Sequence, residues 1–139
     1  MERRIMELTK DMDLREASSE GTVRKIQKAL GIVFPEDYAS FMAQHNGGEG
    51  WVGNSYLLLW RVDKIASKTT NTGYAEFYPG LFLFGSDGGG EAYAFDARSG
   101  ETLIVEVPYV GGPDHAIFCG RNFVEFLEFL HSRVSSEEH

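Results

Sequence analysis

The chain has 139 residues, and its 10 Phe, 6 Tyr and 2 Trp supply enough apolar surface to exclude an intrinsically disordered protein. Its 13 Lys and Arg against 21 Asp and Glu give a net charge of −8, so the sequence lacks the basic surface that direct nucleic-acid binding needs. The single cysteine excludes an intramolecular disulfide, and the longest apolar run, residues 56–60, is far shorter than the ~20 residues of a membrane span.

The N-terminal third of the sequence predicts two helices after a weakly patterned start. Residues 1–19 form either a marginal helix or a frayed arm. Ser19 caps the next helix, and Gly31 ends it in the usual left-handed conformation. Pro35 begins another helix, since its missing N–H would be unpaired in the first turn anyway. The buried stripe predicted for that helix is Tyr38, Phe41, Met42 and His45.

Five short strands are predicted in the middle of the chain. They cover residues 56–62, 81–84, 91–97, 102–107 and 116–119. The glycine-rich residues 85–90 and the residues 98–100 are predicted to be turns between strands, and a brief helix is predicted around Ile65 and Ala66. In the strand 91–97, alternation places Ala92 and Ala94 on one face and Tyr93 on the other.

The last helix begins at Asn122, with Glu125 as its partner in a capping box. Its predicted apolar stripe is Phe123, Phe126, Leu127, Leu130 and Val134. Terminal helices around consecutive hairpin strands indicate the α+β class, with a mostly antiparallel sheet packed against the N- and C-terminal helices. We expect a single domain over residues 1–139, with a core at about 20–134 and ends at 1–19 and 135–139 that fray.

Motif searches favour neither a catalytic nor a cofactor site. Residues 48–53 match G-x-G-x-x-G, but a dinucleotide site needs a strand before the loop and a helix after it, and here the order is helix, loop, strand. His115 and Cys119, at i and i+4 of a predicted strand, would lie about 13 Å apart, which is too far for proton transfer. Cys119 is therefore expected to be a small buried hydrophobe. The four histidines show no metal-binding spacing, and His45 is expected in the core.

Asp87 and Glu91 flank three glycines, so a chain reversal brings their carboxylates close together. Such a pair can hold a hard cation or act as an acid and a base. Alternatively, Asp87 accepts hydrogen bonds from the backbone of its own turn. We favour the second interpretation.

Several aromatic residues fall in predicted loops. Loop aromatics beside glycine are typical of interface anchors, although Trp51 is equally consistent with a ring that folds back on the core. From loop position and charge, the candidate contacts with a partner are Glu49, Trp51, Glu76, Tyr78, Asp87 and Glu91.

Three groups of residues, in this order along the chain, resemble the SUKH superfamily. The first group is Leu30-Gly31, Phe34-Pro35-Glu36-Asp37-Tyr38, Phe41-Met42 and Asn46-Gly47-Gly48. The second is the hairpin Leu83-Phe84-Gly85-Ser86-Asp87-Gly88-Gly89-Gly90-Glu91 with Tyr93-Ala94-Phe95-Asp96, and the third is Phe123-Val124-Glu125-Phe126-Leu127. The resemblance spans roughly residues 20–132 and departs from the family at Phe34, where leucine usually precedes the proline.

The resemblance implies a compact α+β domain without a known catalytic centre and with a variable binding face. Members include fungal regulators of cell-wall synthesis and bacterial immunity proteins that neutralise toxins, often nucleases. Our leading hypothesis is a non-enzymatic cytoplasmic immunity protein, without cofactor or metal, that binds a basic toxin domain. The acidic charge either steers such an association or only keeps the domain soluble.

Two other functions are kept open. One is a small-ligand binder or hydrolase that uses the turn between Asp87 and Glu91, with Trp51 or Tyr93 lining its pocket. The other is a regulatory or scaffolding protein of the kind that acts in cell-wall synthesis. The start of the chain is too charged for a signal peptide, which is why a cytoplasmic location is expected.

Overall fold

The computed structural model describes residues 2–133, in which seven strands pair antiparallel, in sequence order, into one sheet. The strands are β1 (Met12–Leu14), β2 (Gly48–Val52), β3 (Ser55–Leu59), β4 (Leu81–Ser86), β5 (Glu91–Asp96), β6 (Leu103–Pro108) and β7 (Ile117–Gly120). The helices are α1 (Glu2–Leu8), α2 (Glu20–Leu30), α3 (Glu36–Gln44), α4 (Ile65–Asn71), α5 (Tyr74–Phe77) and α6 (Phe123–Ser132), with 3-10 turns at Val62–Lys64 and Pro113–His115. The α+β prediction is confirmed. Val134 and residues 135–139 lie outside the described part.

The predicted helix caps are present. The Ser19 hydroxyl accepts the N–H of Thr22 at 3.0 Å, and Gly31 adopts φ 77° while its N–H bonds back into α2. Asn122 accepts the N–H of Glu125 at 2.9 Å. The Glu125 carboxylate accepts from the N–H of Arg121 rather than from that of Asn122, so the predicted capping box is displaced by one residue.

One face of the sheet, here called the inner face, is covered by α1, α2, α3 and α6. The centroid of the Tyr38 ring lies within 5.7 Å of those of Phe84, Phe95 and Phe123. The Phe84 ring stacks on that of Phe95 with the two centroids 4.3 Å apart. The Tyr38 hydroxyl is buried without a hydrogen-bond partner among residues 2–133, and burial raises its pKa. This closely packed aromatic core is the main source of stability.

The opposite face, here called the outer face, is covered only over its second half. The apolar cluster beneath α4 and α5 consists of Tyr74, Leu81, Leu83, Ala92, Ala94, Val105 and Val107. Thr69 of α4 fixes that helix to the sheet, because its hydroxyl accepts the N–H of Leu83 at 2.9 Å. The alternation predicted for residues 91–97 is confirmed, since Ala92 and Ala94 lie in this cluster and Tyr93 lies in the inner core.

Several segments differ from the prediction. Residues 48–52, expected to be a loop, form β2, and the strand expected over 56–62 covers Ser55–Leu59 instead. The polar loop expected before β4 contains α5, and α4 is longer than the brief helix predicted there. His45 ends α3 and is half-buried rather than part of the buried stripe.

The N-terminal segment contains the helix α1 and the strand β1, and both contribute to the core. Ile5 and Leu8 of α1 and Met12 of β1 are buried, and β1 pairs with β2. Arg4 also forms an ion pair with Glu128 of α6. No helix within residues 2–133 has the length and apolar character needed to cross a membrane.

Candidate functional site

The candidate site is the part of the outer face that neither α4 nor α5 covers. Strand pairing places Asp13 opposite Glu49, Glu49 opposite Leu58, and Trp51 opposite Tyr56. Directly paired residues in an antiparallel sheet project from the same face. These five residues therefore share one surface, here called the open patch.

Contacts within the open patch hold its aromatic rings in place. The Tyr56 hydroxyl donates to the Glu49 carboxylate at 2.5 Å, and this hydrogen bond raises the pKa of Tyr56. The rings of Trp51 and Tyr56 meet edge to face with centroids 5.1 Å apart. Trp51 nevertheless remains 53% exposed, so its ring does not fold back on the core.

The charges of the open patch are arranged unfavourably for the isolated chain. Asp13 and Glu49 are both exposed and directly paired across β1 and β2. Like charges in such a pair destabilise a sheet. A cationic group placed above the pair would remove that repulsion.

The turn between β4 and β5 borders the open patch. The Asp87 carboxylate accepts the N–H groups of Gly89 at 2.8 Å and Glu91 at 3.2 Å, which confirms that Asp87 stabilises its own turn. A Cβ at Gly88 would lie 3.8 Å from the Tyr56 ring, so the turn is adjacent to this tyrosine. Within the described residues, no three His, Cys, Asp or Glu side chains are arranged to hold a metal ion.

Glu91 belongs to a different cluster from Asp87. It is next to Tyr93 and Glu106 on the inner side of the sheet, where Glu106 is 4% exposed and forms an ion pair with Arg133. Burial raises the pKa of Glu91, the negative charges of Glu106 and Asp87 raise it further, and Arg133 lowers it.

Glu76 and Tyr78 lie apart from the open patch, on α5 and just after it. The Tyr78 ring packs on Tyr74 at 5.2 Å and is half-buried against the loop around Gly112. Glu76 is exposed. The structure therefore brings together Glu49, Trp51 and the Asp87 turn, and it separates Glu76 and Tyr78 from them. Glu91 ends the Asp87 turn, but its side chain lies on the inner side of the sheet.

Sequence reasoning missed Asp13, Tyr56 and Leu58 as members of this surface. Their place depends on the pairing of β1 with β2 and of β2 with β3, and β2 was not predicted. The alternation of Glu49 and Trp51 between Gly48, Gly50 and Val52 is the signal that would have identified that strand.

Cys119, the only cysteine, is buried as expected. Desolvation raises the pKa of its thiol to about 12, and the charge of Glu106 acts in the same direction. A thiol in that state is a poor nucleophile at neutral pH. His131 is exposed on α6.

A comparison with known protein families identifies the family to which the chain belongs. The model of the SMI1/KNR4 family (SUKH-1) matches residues 17–128, and no curated protein matches the sequence. SUKH domains are generally non-enzymatic modules of immunity or regulation, and such membership suggests interaction with other proteins. Since the match covers most of the chain and agrees with the motifs and the α+β fold, the chain belongs to the SMI1/KNR4 family (SUKH-1).

Proposed function

We propose that the chain is a cytoplasmic, non-enzymatic immunity protein that binds and neutralises a basic toxin domain. The open patch is its docking face. The observation that carries the proposal is the exposed Trp51 ring, held edge-on by Tyr56 next to the paired carboxylates of Asp13 and Glu49.

A tryptophan in this setting has the properties of a binding hot spot. Its position on a strand and its contact with Tyr56 limit the motion of the ring, so little conformational entropy is lost when a partner covers it. Hot spots are enriched in Trp, Tyr and Arg, and Trp51 and Tyr56 provide two of these. The open patch can therefore supply most of the binding energy from a small area.

Charge defines the chemistry of the partner. Asp13 and Glu49 repel each other until a cation approaches, and the net charge of −8 attracts a basic surface over distances up to a Debye length. A partner with Lys or Arg at the centre of its interface fits both features. Glu76, Tyr78 and Glu91 become contacts only if the partner extends beyond the patch.

The test begins with the protein that copurifies with this chain from its source cells at about 50 mM salt and is weakened at about 500 mM salt. That protein is purified, its toxicity is measured with and without this chain, and its affinity is measured by calorimetry. Trp51→Ala is expected to weaken binding at least about 30-fold, as a hot-spot substitution worth 2 kcal/mol does.

Phe118→Ala is the matched control, because Phe118 is also 53% exposed but lies on β7, at the other edge of the sheet. It is expected to change affinity less than about twofold, within the ±0.5 kcal/mol of an ordinary surface change. Equal effects of the two substitutions would refute the docking face. A captured partner that is harmless on its own would refute the immunity function.

A further inference from the structure

A second feature of the outer face is a cleft of about 390 Å³ at the end of the sheet next to α4. Arg15 follows β1, Trp60 and Arg61 follow β3, Lys64 ends the 3-10 turn, and Lys68 lies on α4. All five side chains line the same cleft. Trp60, Arg61, Lys64 and Lys68 come from one stretch of the sequence, and the fold brings Arg15 to them.

The cleft concentrates positive charge in an acidic protein. Four of the 13 basic residues line it, although the chain as a whole carries −8. Arg61 has a carboxylate partner, Asp63, at 3.4 Å. Arg15, Lys64 and Lys68 form no ion pair with any carboxylate in the described range 2–133.

Two of these cations are held in place without being neutralised. The Arg15 guanidinium donates to the carbonyl oxygen of Leu59 at 3.2 Å, which leaves its other N–H groups free to bind an anion. The Lys68 ammonium lies 4.9 Å above the Trp60 ring, a cation–π contact that keeps its full charge. The cleft is thus pre-organised for an anion.

We propose that this cleft binds a phosphate-bearing small molecule. A phosphoryl dianion matches the fork of Arg15 and the point charges of Lys64 and Lys68, because guanidinium binds phosphate with paired hydrogen bonds and ammonium binds it through charge. The hydroxyl of Ser67 and the amide of Asn71 also line the cleft and add neutral donors. Free diphosphate and a nucleotide share this chemistry, and they differ in whether a ring can also contact Trp60.

The fluorescence of Trp60 provides a direct readout. The chain has two tryptophans, so Trp51→Phe leaves Trp60 as the only one. Binding of an anion draws Lys68 away from the Trp60 ring or screens its charge, and the emission of the ring changes. Titrations with sodium diphosphate, ADP and a short poly-glutamate peptide are made at constant ionic strength, with sodium chloride as the balancing salt.

The proposal predicts a saturable change with one molecule of diphosphate per chain. In the same Trp51→Phe background, Lys64→Gln with Lys68→Gln is expected to weaken binding at least tenfold. Lys25→Gln with Lys28→Gln removes the same charge from exposed positions of α2 and is expected to weaken it less than twofold. Calorimetry with the chain that retains Trp51 gives the same dissociation constants independently of fluorescence.

The titrations with ADP and with the poly-glutamate peptide identify the kind of ligand. Tighter binding of ADP than of diphosphate supports a nucleotide, whereas equal or weaker binding of ADP supports a ligand recognised by phosphate alone. The proposal is overturned if diphosphate gives no saturable change, if both double variants weaken binding equally, or if only poly-glutamate binds. These outcomes are independent of the immunity function, because no toxin is present in the assay.

Discussion

The two faces of the sheet divide stability from recognition. The inner face is closed by four helices and contains the aromatic core around Tyr38 and Phe84. The outer face is covered by α4 and α5 over β4 to β6 only, and its open part carries Trp51 and Asp13. The basic cleft lies beside α4 at the end of the sheet. One sheet thus supports a fixed core on one side, while the other side is free to vary with the partner.

The largest effect is expected from the inner face. Phe126→Ala removes a fully buried ring. Its centroid lies 5.0 Å from that of the Tyr93 ring and 5.4 Å from that of the Phe84 ring. The substitution should lower the free energy of unfolding by about 3–5 kcal/mol, the usual result of deleting a core phenylalanine. Trp51→Ala should lower it by no more than about 1 kcal/mol, the upper value for an aromatic cross-strand pair such as Trp51 with Tyr56. Urea denaturation measures both, and a similar loss from the two would remove the distinction between the faces.

A smaller effect is expected from the ion pair at the edge of the core. Arg133→Met leaves the Glu106 carboxylate buried without its partner, and stability should fall by about 2 kcal/mol. This is below the loss for a fully buried pair, because the Arg133 side chain is 37% exposed. Combining Arg133→Met with Glu106→Leu should recover most of the loss. A double variant as unstable as the sum of the single variants would show that the pair is not coupled.

The next largest loss of stability is expected from the contact between α3 and α6. Both oxygens of Asp37 accept backbone N–H groups at the start of α6, from Phe123 and Val124, each at 2.9 Å. Asp37→Ala leaves these donors unpaired, so the expected loss is about 1 kcal/mol, comparable to that of a helix cap. Thermal unfolding checks this, with Asp114→Ala, an exposed aspartate in the turn before β7, as the control. A loss no larger than that of the control would contradict it.

The smallest effect concerns Glu91 and depends on pH. Burial raises its folded-state pKa above the ordinary 4.5, so the folded chain binds this proton more tightly than the unfolded chain does. The protonated Glu91 carboxyl therefore stabilises the folded chain below pH 4.5. This contribution to the free energy of unfolding is lost as the pH rises through the folded-state pKa. Glu91→Gln should therefore raise the melting temperature slightly at pH 7 and leave it unchanged at pH 4. A variant that destabilises the chain at pH 7 would show that the charged form is the favoured one.

Local signals in the sequence predicted α2, α3 and α6 well, and long-range contacts explain the main errors. Ser19, Gly31 and Asn122 were identified correctly because a cap depends on residues within one turn of the helix. Gly48 and Gly50 suggested a loop, yet they lie in β2 because β1 packs against them. A Cβ at Gly48 would lie 2.4 Å from the Asp13 carbonyl oxygen, and one at Gly50 would lie 2.6 Å from the Met12 Cα.

Long-range contacts also explain why only part of the candidate site could be predicted from the sequence. Glu49, Trp51 and Asp87 were identified by charge, aromatic character and neighbouring glycines, and they lie together. Asp13 and Tyr56 could be added only once the register of the strands was known. The basic cleft was missed because Arg61, Lys64 and Lys68 are not adjacent in the sequence and Arg15 joins them only in the fold.

Photo-crosslinking in the source cells shows whether a basic partner docks on the open patch. The photoreactive residue p-benzoyl-phenylalanine replaces Trp51 in one variant and Phe118, which has the same exposed fraction, in another. We expect the variant at 51 to form a covalent adduct with one basic protein and the variant at 118 to form none. An adduct with that protein at 118 and none at 51 would show that the partner does not dock on the open patch.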